Sequence, residues 1–228
     1  CYLWPRKREN MLLNVQNIHK TYHTADGPFE VLRGIDLTLQ AGETLALTGE
    51  SGSGKSTLLH LIGGLDTPDQ GQILLQDRDI AFLDDNGRAA LRRGTVGVVF
   101  QQFNLIPSLP VADNIAFQAR LADQHDATWC TTLAARMGLT DHLRKYPEQL
   151  SGGQQQRVAI ARTLAPKPRL VLADEATGNL DEATAAIVLD LMLELVSETG
   201  AGLLMVTHSD SLAGRMLRRL HLRAGQVA

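Results

Sequence analysis

From Leu12 to Ile18, and again from Val31 to Leu39, apolar and polar residues alternate, the period-2 pattern of strands buried on one face. A Gly27-Pro28 turn between them predicts an antiparallel β layer at the start of the chain. At Thr44 the pattern changes. The short apolar run Thr44 to Thr48 enters a glycine-rich loop and then a Leu58, Leu59, Leu61, Ile62 stripe at helical spacing, which reads as strand, loop, helix. The runs Val96 to Phe100, Leu170 to Ala173 and Leu203 to Val206 have the length of buried parallel strands, and helical patterns fall near 182–198 and 209–219. Nothing between Gln102 and Ala165 reads as a strand, so a helical lobe is expected at about 102–165. No internal repeat or low-complexity tract interrupts this order.

Composition narrows the class. A chain of 228 residues is long enough for a large buried core, and 44% of it is apolar. With only 2 Trp, 3 Tyr and 5 Phe that core must be mostly aliphatic, as in α/β proteins with a parallel sheet. The net charge of −3 supplies no basic field, which argues against nucleic acid as the main partner. Cys1 and Cys130 lie far apart without CxxC partners, so neither a disulfide framework nor a zinc site is indicated and a reducing compartment fits; Cys130 reads as a small buried hydrophobe. The longest uncharged stretch, Gly94 to Ala112, carries Gln101, Gln102, Asn104, Ser108 and two prolines and is not a membrane span. Arg6, Lys7 and Arg8 precede an apolar run that stops at Asn14, too short for a signal peptide; residues 1–10 read as an extension ahead of a start at Met11.

Chemistry enters at Gly49-Glu50-Ser51-Gly52-Ser53-Gly54-Lys55-Ser56, which fits GxxxxGK[ST] between a predicted strand and a predicted helix. Such glycines let backbone N–H groups curl around phosphates at the positive end of a helix. Lys55 is expected to reach the β- and γ-phosphates, Ser56 to ligate Mg²⁺, and Thr57 to join the nucleotide contacts. A dinucleotide fingerprint starting at Gly52 needs glycine where Thr57 stands. The strand Leu170 to Ala173 ends in Asp174 and Glu175, at the carboxyl edge where α/β sheets hold ligands. Because neighbouring strand residues point to opposite faces, Asp174 is assigned to the metal through water and Glu175 to the general base. A second anion-binding signal is Leu150-Ser151-Gly152-Gly153-Gln154, with Ser151 as N-cap of a helix whose first amides are bared by glycine.

With these motifs in place, the chain resembles the nucleotide-binding subunit of ABC (ATP-binding cassette) transporters from about Met11 to Val227. Leu150 to Gln154 matches that family's LSGGQ signature in full. The resemblance implies a P-loop ABC ATPase core with an N-terminal antiparallel β subdomain and an inserted α-helical subdomain. It also implies a head-to-tail homodimer on binding ATP, in which Ser151, Gly152, Gly153 and Gln154 of one subunit close over the ATP of the other. Tyr22 matches the aromatic that stacks on adenine, Gln101 the glutamine that senses Mg²⁺ and the attacking water, Asp181 the residue that crosses the interface from Gly178-Asn179-Leu180-Asp181, and His208 the switch histidine on the γ-phosphate.

Two positions depart from the family pattern, with Ala176 for the usual proline and Ser209 for the usual acidic residue; neither removes a catalytic group. The implied activity is Mg²⁺-dependent ATP hydrolysis driving transport, with the chain peripheral on the cytoplasmic face of the inner membrane and bound to a separate transmembrane permease. In the family a short permease helix lies in a groove, here expected at Phe103 to Leu109, reached through Gln101. Leu58 to Pro68 and Leu212 to Met216 are similar to the bacterial lipoprotein-release and macrolide-export group, a branch that also holds cell-division ATPases acting on a membrane partner without transport. DNA-repair and translation ATPases of the superfamily need long insertions or a second cassette, absent from these residues. His19, His23, His60, His125, His142 and His221 form no ligand cluster in the sequence, and Arg215, Arg218, Arg219 and Arg223 read as a solvated face.

Overall fold

The computed structural model describes residues 10–25 and 27–228; apart from Asn10, the segment read as an extension lies outside them. In chain order the elements are β1 (Met11–Thr24), β2 (Gly27–Gln40), β3 (Thr44–Thr48), α1 (Lys55–Ile62), β4 (Gln70–Leu75), β5 (Arg78–Asp79), α2 (Asp85–Ala90) and β6 (Val96–Val99). There follow α3 (Val111–Leu121), α4 (Ala127–Arg136), α5 (Gly152–Leu164), β7 (Leu170–Asp174), α6 (Glu182–Thr199), β8 (Gly202–Val206), α7 (Asp210–Ala213), β9 (Arg218–Arg223) and β10 (Gln226–Val227).

One sheet is antiparallel, in the order β2-β1-β4-β5. The strands of its hairpin run closer to the turn than the sequence suggests. Thr24 pairs with Gly27 and His23 with Pro28, so the Gly27-Pro28 pair opens β2 instead of forming the turn. Proline is tolerated there because β2 is the outer strand of the sheet. The second sheet has the order β10-β9-β3-β8-β7-β6, with β9, β3, β8, β7 and β6 parallel and β10 antiparallel.

Both faces of the parallel sheet are covered, which is why its strands are continuous apolar runs. Side-chain alternation divides each strand between two cores. Leu45, Leu47, Leu170, Leu172, Leu204 and Val206 face α1 and the antiparallel sheet, together with Leu58, Leu59, Leu61, Ile62, Leu13 and Ile35. Ala46, Val171, Ala173, Leu203 and Met205 face the other way, onto Val158, Ala161 and Leu164 of α5 and Val188, Leu189 and Met192 of α6. The core on that side continues into α3 and α4 through Val111, Ile115, Leu133 and Met137. The segment 102–165 contains helices and, among the described residues, no strand.

One predicted helix is corrected. Of 209–219 only Asp210–Ala213 is helical, and Arg218–Arg223 is a strand beside β3, pairing Leu45 with Arg218 and Leu47 with Leu220. Leu212, Met216 and Leu220 satisfy a helical spacing, but Leu220 and Leu222 also alternate with polar neighbours, and the open edge of β3 selects the strand. Strands β4 and β5 and helix α2 carry no pattern strong enough to be read from sequence.

Candidate functional site

The glycine-rich loop joins the carboxyl end of β3 to α1, and its backbone is possible only for glycine at two points. Gly49 has φ 142°, and a Cβ there would come 2.1 Å from the Leu222 carbonyl oxygen of β9. Gly54, in the left-handed region at φ 101°, would drive a Cβ to 2.6 Å from Leu32 Cδ2. Helix α1 starts without a side-chain cap and without an acid in its own first turn, so no residue of the helix itself neutralises its positive end. Lys55 is 5% exposed and its Nζ donates to the carbonyls of Gly49 (2.9 Å) and Glu50 (2.7 Å), curling the loop around the ammonium. Burial pulls the Lys55 pKa below its usual value, against the opposing pull of the Glu175 and Asp174 carboxylates.

The two acids at the end of β7 diverge. Asp174 keeps the strand alternation and turns with Leu170 and Leu172 towards α1, where Oδ1 accepts from Ser56 Oγ at 2.9 Å and Oδ2 lies 3.5 Å from His60 Nε2. Glu175 leaves the strand with φ 45°, a left-handed conformation that swings it away from that face. Its Oε1 lies 2.8 Å from Nε2 of His208, which follows β8. Glu175 and His208 line a cavity of about 350 Å³ with Thr177, Gly178, Ser209 and Leu212.

Gln101, just past β6, is held to the loop after β7. Its Nε2 donates to Asn179 Oδ1 at 3.4 Å, and Asn179 Nδ2 donates to the Gln101 carbonyl at 3.1 Å. Asp181 caps α6, accepting the Thr184 N–H at 3.0 Å; the Thr184 hydroxyl first, and then this backbone bond, hold its carboxyl below the usual range. Of the two family departures, Ser209 is absorbed by the fold. It caps α7 by accepting the Leu212 N–H at 3.3 Å, a job an aspartate does equally well. Ala176 is buried.

Ser151 is the N-cap of α5 in a reciprocal capping box with Gln154: Gln154 N donates to Ser151 Oγ at 3.3 Å, and Ser151 N donates to Gln154 Oε1 at 2.9 Å. The amides of Gly152 and Gly153 are the first-turn donors left open. Gln154 Nε2 rests 2.9 Å from His142 Nε2. None of the side-chain hydrogen bonds of 151–154 reaches 49–57 within this chain. Tyr22, 38% exposed near the end of β1, donates its hydroxyl to Asp66 at 2.7 Å.

The structure therefore brings Lys55, Ser56, Asp174, Glu175 and His208 to the carboxyl ends of β3, β7 and β8, with Gln101 linked to them through Asn179. Asn179, His60, Asp66 and His142 were missed as partners of site residues. Asn179 and Asp66 lie within stretches that carry the resemblance, but the local pattern assigns their side chains no partner. His60 and His142 have no signal in sequence, since His60 meets Asp174 from the other half of the chain and His142 meets Gln154 across an intervening loop.

The family model described as ABC transporter matches residues 32–178. This chain belongs to the ABC transporter family. It is the ATP-binding subunit of such a transporter, an ABC ATPase, and its fold is the P-loop ABC fold. It is 45% identical over 219 residues to "Lipoprotein-releasing system ATP-binding protein LolD" of Hyphomonas neptunium, covering 95% of this chain and 96% of the relative. It is 43% identical over 221 residues to "Macrolide export ATP-binding/permease protein MacB" of Syntrophobacter fumaroxidans, covering 95% of this chain but 31% of that larger protein. Among solved structures, the ABC cassette MJ0796, described as a dimer in a post-hydrolysis state bound to ADP and Pi, matches with a TM-score of 0.87 and 35% identity over 95% of this chain and 96% of the other. No helix among the described residues of this ABC subunit is long and apolar enough to cross a membrane.

Proposed function

We propose that this chain hydrolyses ATP with Mg²⁺ and couples the reaction to export, or to extrusion of lipoprotein or lipid-type substrates, through a separate transmembrane permease. The observation that carries the reading is the divergence of Asp174 and Glu175 at one strand end, the first onto Ser56 and the second onto His208. A serine hydroxyl, a carboxylate and the Gln101 amide are hard oxygen donors of the kind Mg²⁺ takes, so the residues fit the ion. Ser56, Gln101 and Asp174 would hold it, and when bound the ion would supply charge neutralisation to the phosphates. Lys55 and the open amides of 49–57 bind the phosphates, Tyr22 stacks on the base, Glu175 takes the proton of the attacking water, and His208 orients Glu175 and hydrogen-bonds the γ-phosphate.

No hydrogen bond joins 151–154 to 49–57 within this chain, which supports a head-to-tail homodimer in which 151–154 and Asp181 act on the partner subunit's nucleotide. The dimeric state named for MJ0796 supports the same arrangement. The names of the relatives support the export class and a membrane partner, and with it a peripheral position on the cytoplasmic face of the inner membrane. Phosphate release by the purified chain with ATP, in Mg²⁺ against EDTA, tests the chemistry. Hydrolysis undiminished in EDTA rejects the metal assignment.

A further inference from the structure

Tyr22 is held by a network that the nucleotide-binding reading does not use. Its hydroxyl donates to Asp66 Oδ2 at 2.7 Å, while Asp66 Oδ1 accepts from Lys20 Nζ at 3.0 Å and from the Thr67 N–H at 2.7 Å. Lys20, 8% exposed, also donates to the Thr67 carbonyl at 2.7 Å, and its ammonium lies 5.0 Å from the centroid of the Tyr22 ring. Lys20 and Tyr22 belong to β1, whereas Asp66 and Thr67 lie in the loop that follows α1. A further pair of bonds ties the same two segments, Thr21 N to Asp69 Oδ2 at 2.6 Å and Asp69 N to the His19 carbonyl at 2.9 Å.

The geometry limits what the ring can do. A half-exposed tyrosine near a strand end ordinarily samples several rotamers. A hydrogen bond at the para position, together with a cation set against the ring, fixes both its tilt and its direction. Burial first, and then the bond and charge of Asp66, push the Tyr22 phenol up to about 12, so it stays a neutral donor at any working pH. Burial opposes ionisation of Asp66, but the bonds from Tyr22, Lys20 and Thr67 outweigh it and keep the carboxyl below its usual value, so it stays an acceptor. The loop that carries Asp66 starts where α1 ends, so one rigid helix sets both the phosphate loop at its head and the ring's anchor beyond its tail.

We propose that Asp66 and Lys20 are positioning residues for the base of the bound nucleotide: they lock the Tyr22 ring in its stacking pose at a fixed offset from the phosphate loop. The proposal rests on the reading of Tyr22 as the base platform. It separates two ligands that share the same phosphates. A nucleoside triphosphate needs the locked ring; inorganic tripolyphosphate does not. A cluster that only staples β1 to the loop after α1 would affect both alike.

Calorimetric titration of the full chain with ATP and with tripolyphosphate decides between them. Tyr22→Ala is expected to weaken ATP binding about five- to a hundredfold. Asp66→Ala and Tyr22→Phe are each expected to weaken it about three- to tenfold. Tripolyphosphate affinity is unchanged in all three. In the Tyr22→Phe background, Asp66→Ala has a smaller further effect on ATP than in the wild type, since its bond to the ring hydroxyl is already gone and only its hold on Lys20 and Thr67 remains to be lost. Asp66→Asn keeps one acceptor oxygen, gives a smaller loss, and serves if the alanine variant does not fold. Tyr22→Ala that weakens ATP while Asp66→Ala, Asp66→Asn and Tyr22→Phe do not would overturn the proposal, as would equal losses for both ligands. If Tyr22→Ala spares ATP, the platform reading itself fails and the positioning role falls with it.

Discussion

His208 Nε2 lies 2.8 Å from Glu175 Oε1, joining a residue two positions past β8 to the acid just past β7. The contact depends on two backbone facts. Strands β7 and β8 are paired in register, Asp174 with Val206, and Glu175 is turned out of the strand at φ 45°. A base held by a single imidazole keeps one oxygen free for a water.

This arrangement predicts the effect of removing each partner. Glu175→Gln should keep ATP binding and lower hydrolysis by about 10² to 10⁴, or roughly 3 to 5 kcal/mol of barrier. His208→Ala should also slow hydrolysis, and the double variant should be little slower than Glu175→Gln alone, because the two act as one unit. Single-turnover phosphate release checks this; strictly additive losses would show that His208 acts independently of Glu175.

Lys55 makes a prediction that concerns binding and not chemistry. Its ammonium is nearly buried and is met by two loop carbonyls. Lys55→Ala removes that charge and lets the Gly49 and Glu50 carbonyls relax, so nucleotide affinity should fall about tenfold or more, in line with loss of a charge-assisted hydrogen bond. Lys55→Arg should not restore it, since a planar fork does not fit a ring closed around a point charge. Titration with a fluorescent ATP analogue measures both.

How far the sequence reaches is visible in particular residues. The strand–loop–helix around Lys55 was legible because glycine spacing and the Leu58 to Ile62 stripe agree with the fold at every level. Strand alternation predicts that Asp174 and Glu175 turn to different sides; the structure bonds Asp174 to Ser56 and, through a left-handed turn at Glu175, sets that carboxylate against His208. Leu220 and Leu222 misled because a short segment there satisfies two periods at once, and only the unpaired edge of β3 decides between them. Asp66 and Asn179 escaped because a hydrogen bond between residues 44 or 78 positions apart leaves no local pattern.

Tyr22 gives a pH dependence. Its proton is held more tightly in the fold, at about 12, than in the unfolded chain, near 10. The folded pKa is raised, so the stability linked to this proton is whole below about pH 10 and is lost as the pH rises towards about 12. Wild-type melting temperature should therefore fall faster between pH 9.5 and pH 11.5, taken as roughly this window, than that of Tyr22→Phe. Parallel melting curves would contradict the raised value.

Arg162 predicts how α5 holds the segment after Gln101. Its guanidinium is half-buried, and that burial draws its pKa below the usual value; Nη1 donates to the Asn104 carbonyl at 2.7 Å and Nη2 to the Phe103 carbonyl at 3.0 Å. Asn104 has φ 48°, the left-handed turn that places both carbonyls within reach of one fork. Arg162→Ala should cost about 1.5 to 3 kcal/mol of stability and Arg162→Lys most of that. Urea unfolding gives the difference, with faster amide exchange confined first to 103–106.

The groove beside that segment separates two neighbours that the sequence treats alike. Leu105 packs against the core shared by α3, α5 and α6, whereas Ile106 lines an open hollow of about 300 Å³ with Leu65, Phe100, Phe117 and Arg162. The backbone at Ile106 is held independently of its side chain: its N–H donates to Asn114 Oδ1 at 2.9 Å, and its carbonyl accepts from Asn114 Nδ2 at 3.0 Å, with Asn114 fully buried. Leu105, half-buried against that core, should when changed to Asp destabilise the chain by about 1 to 3 kcal/mol, below the scale of a fully buried leucine. Ile106→Asp should leave the melting temperature and ATP binding close to wild type but place a charge where an apolar permease helix would lie. Tagged chain recovered from detergent-solubilised membranes should then carry its membrane subunit in the wild type and lose it in Ile106→Asp. An Ile106→Asp chain that still brings down the same membrane subunit in equal amount would remove the groove from the coupling path.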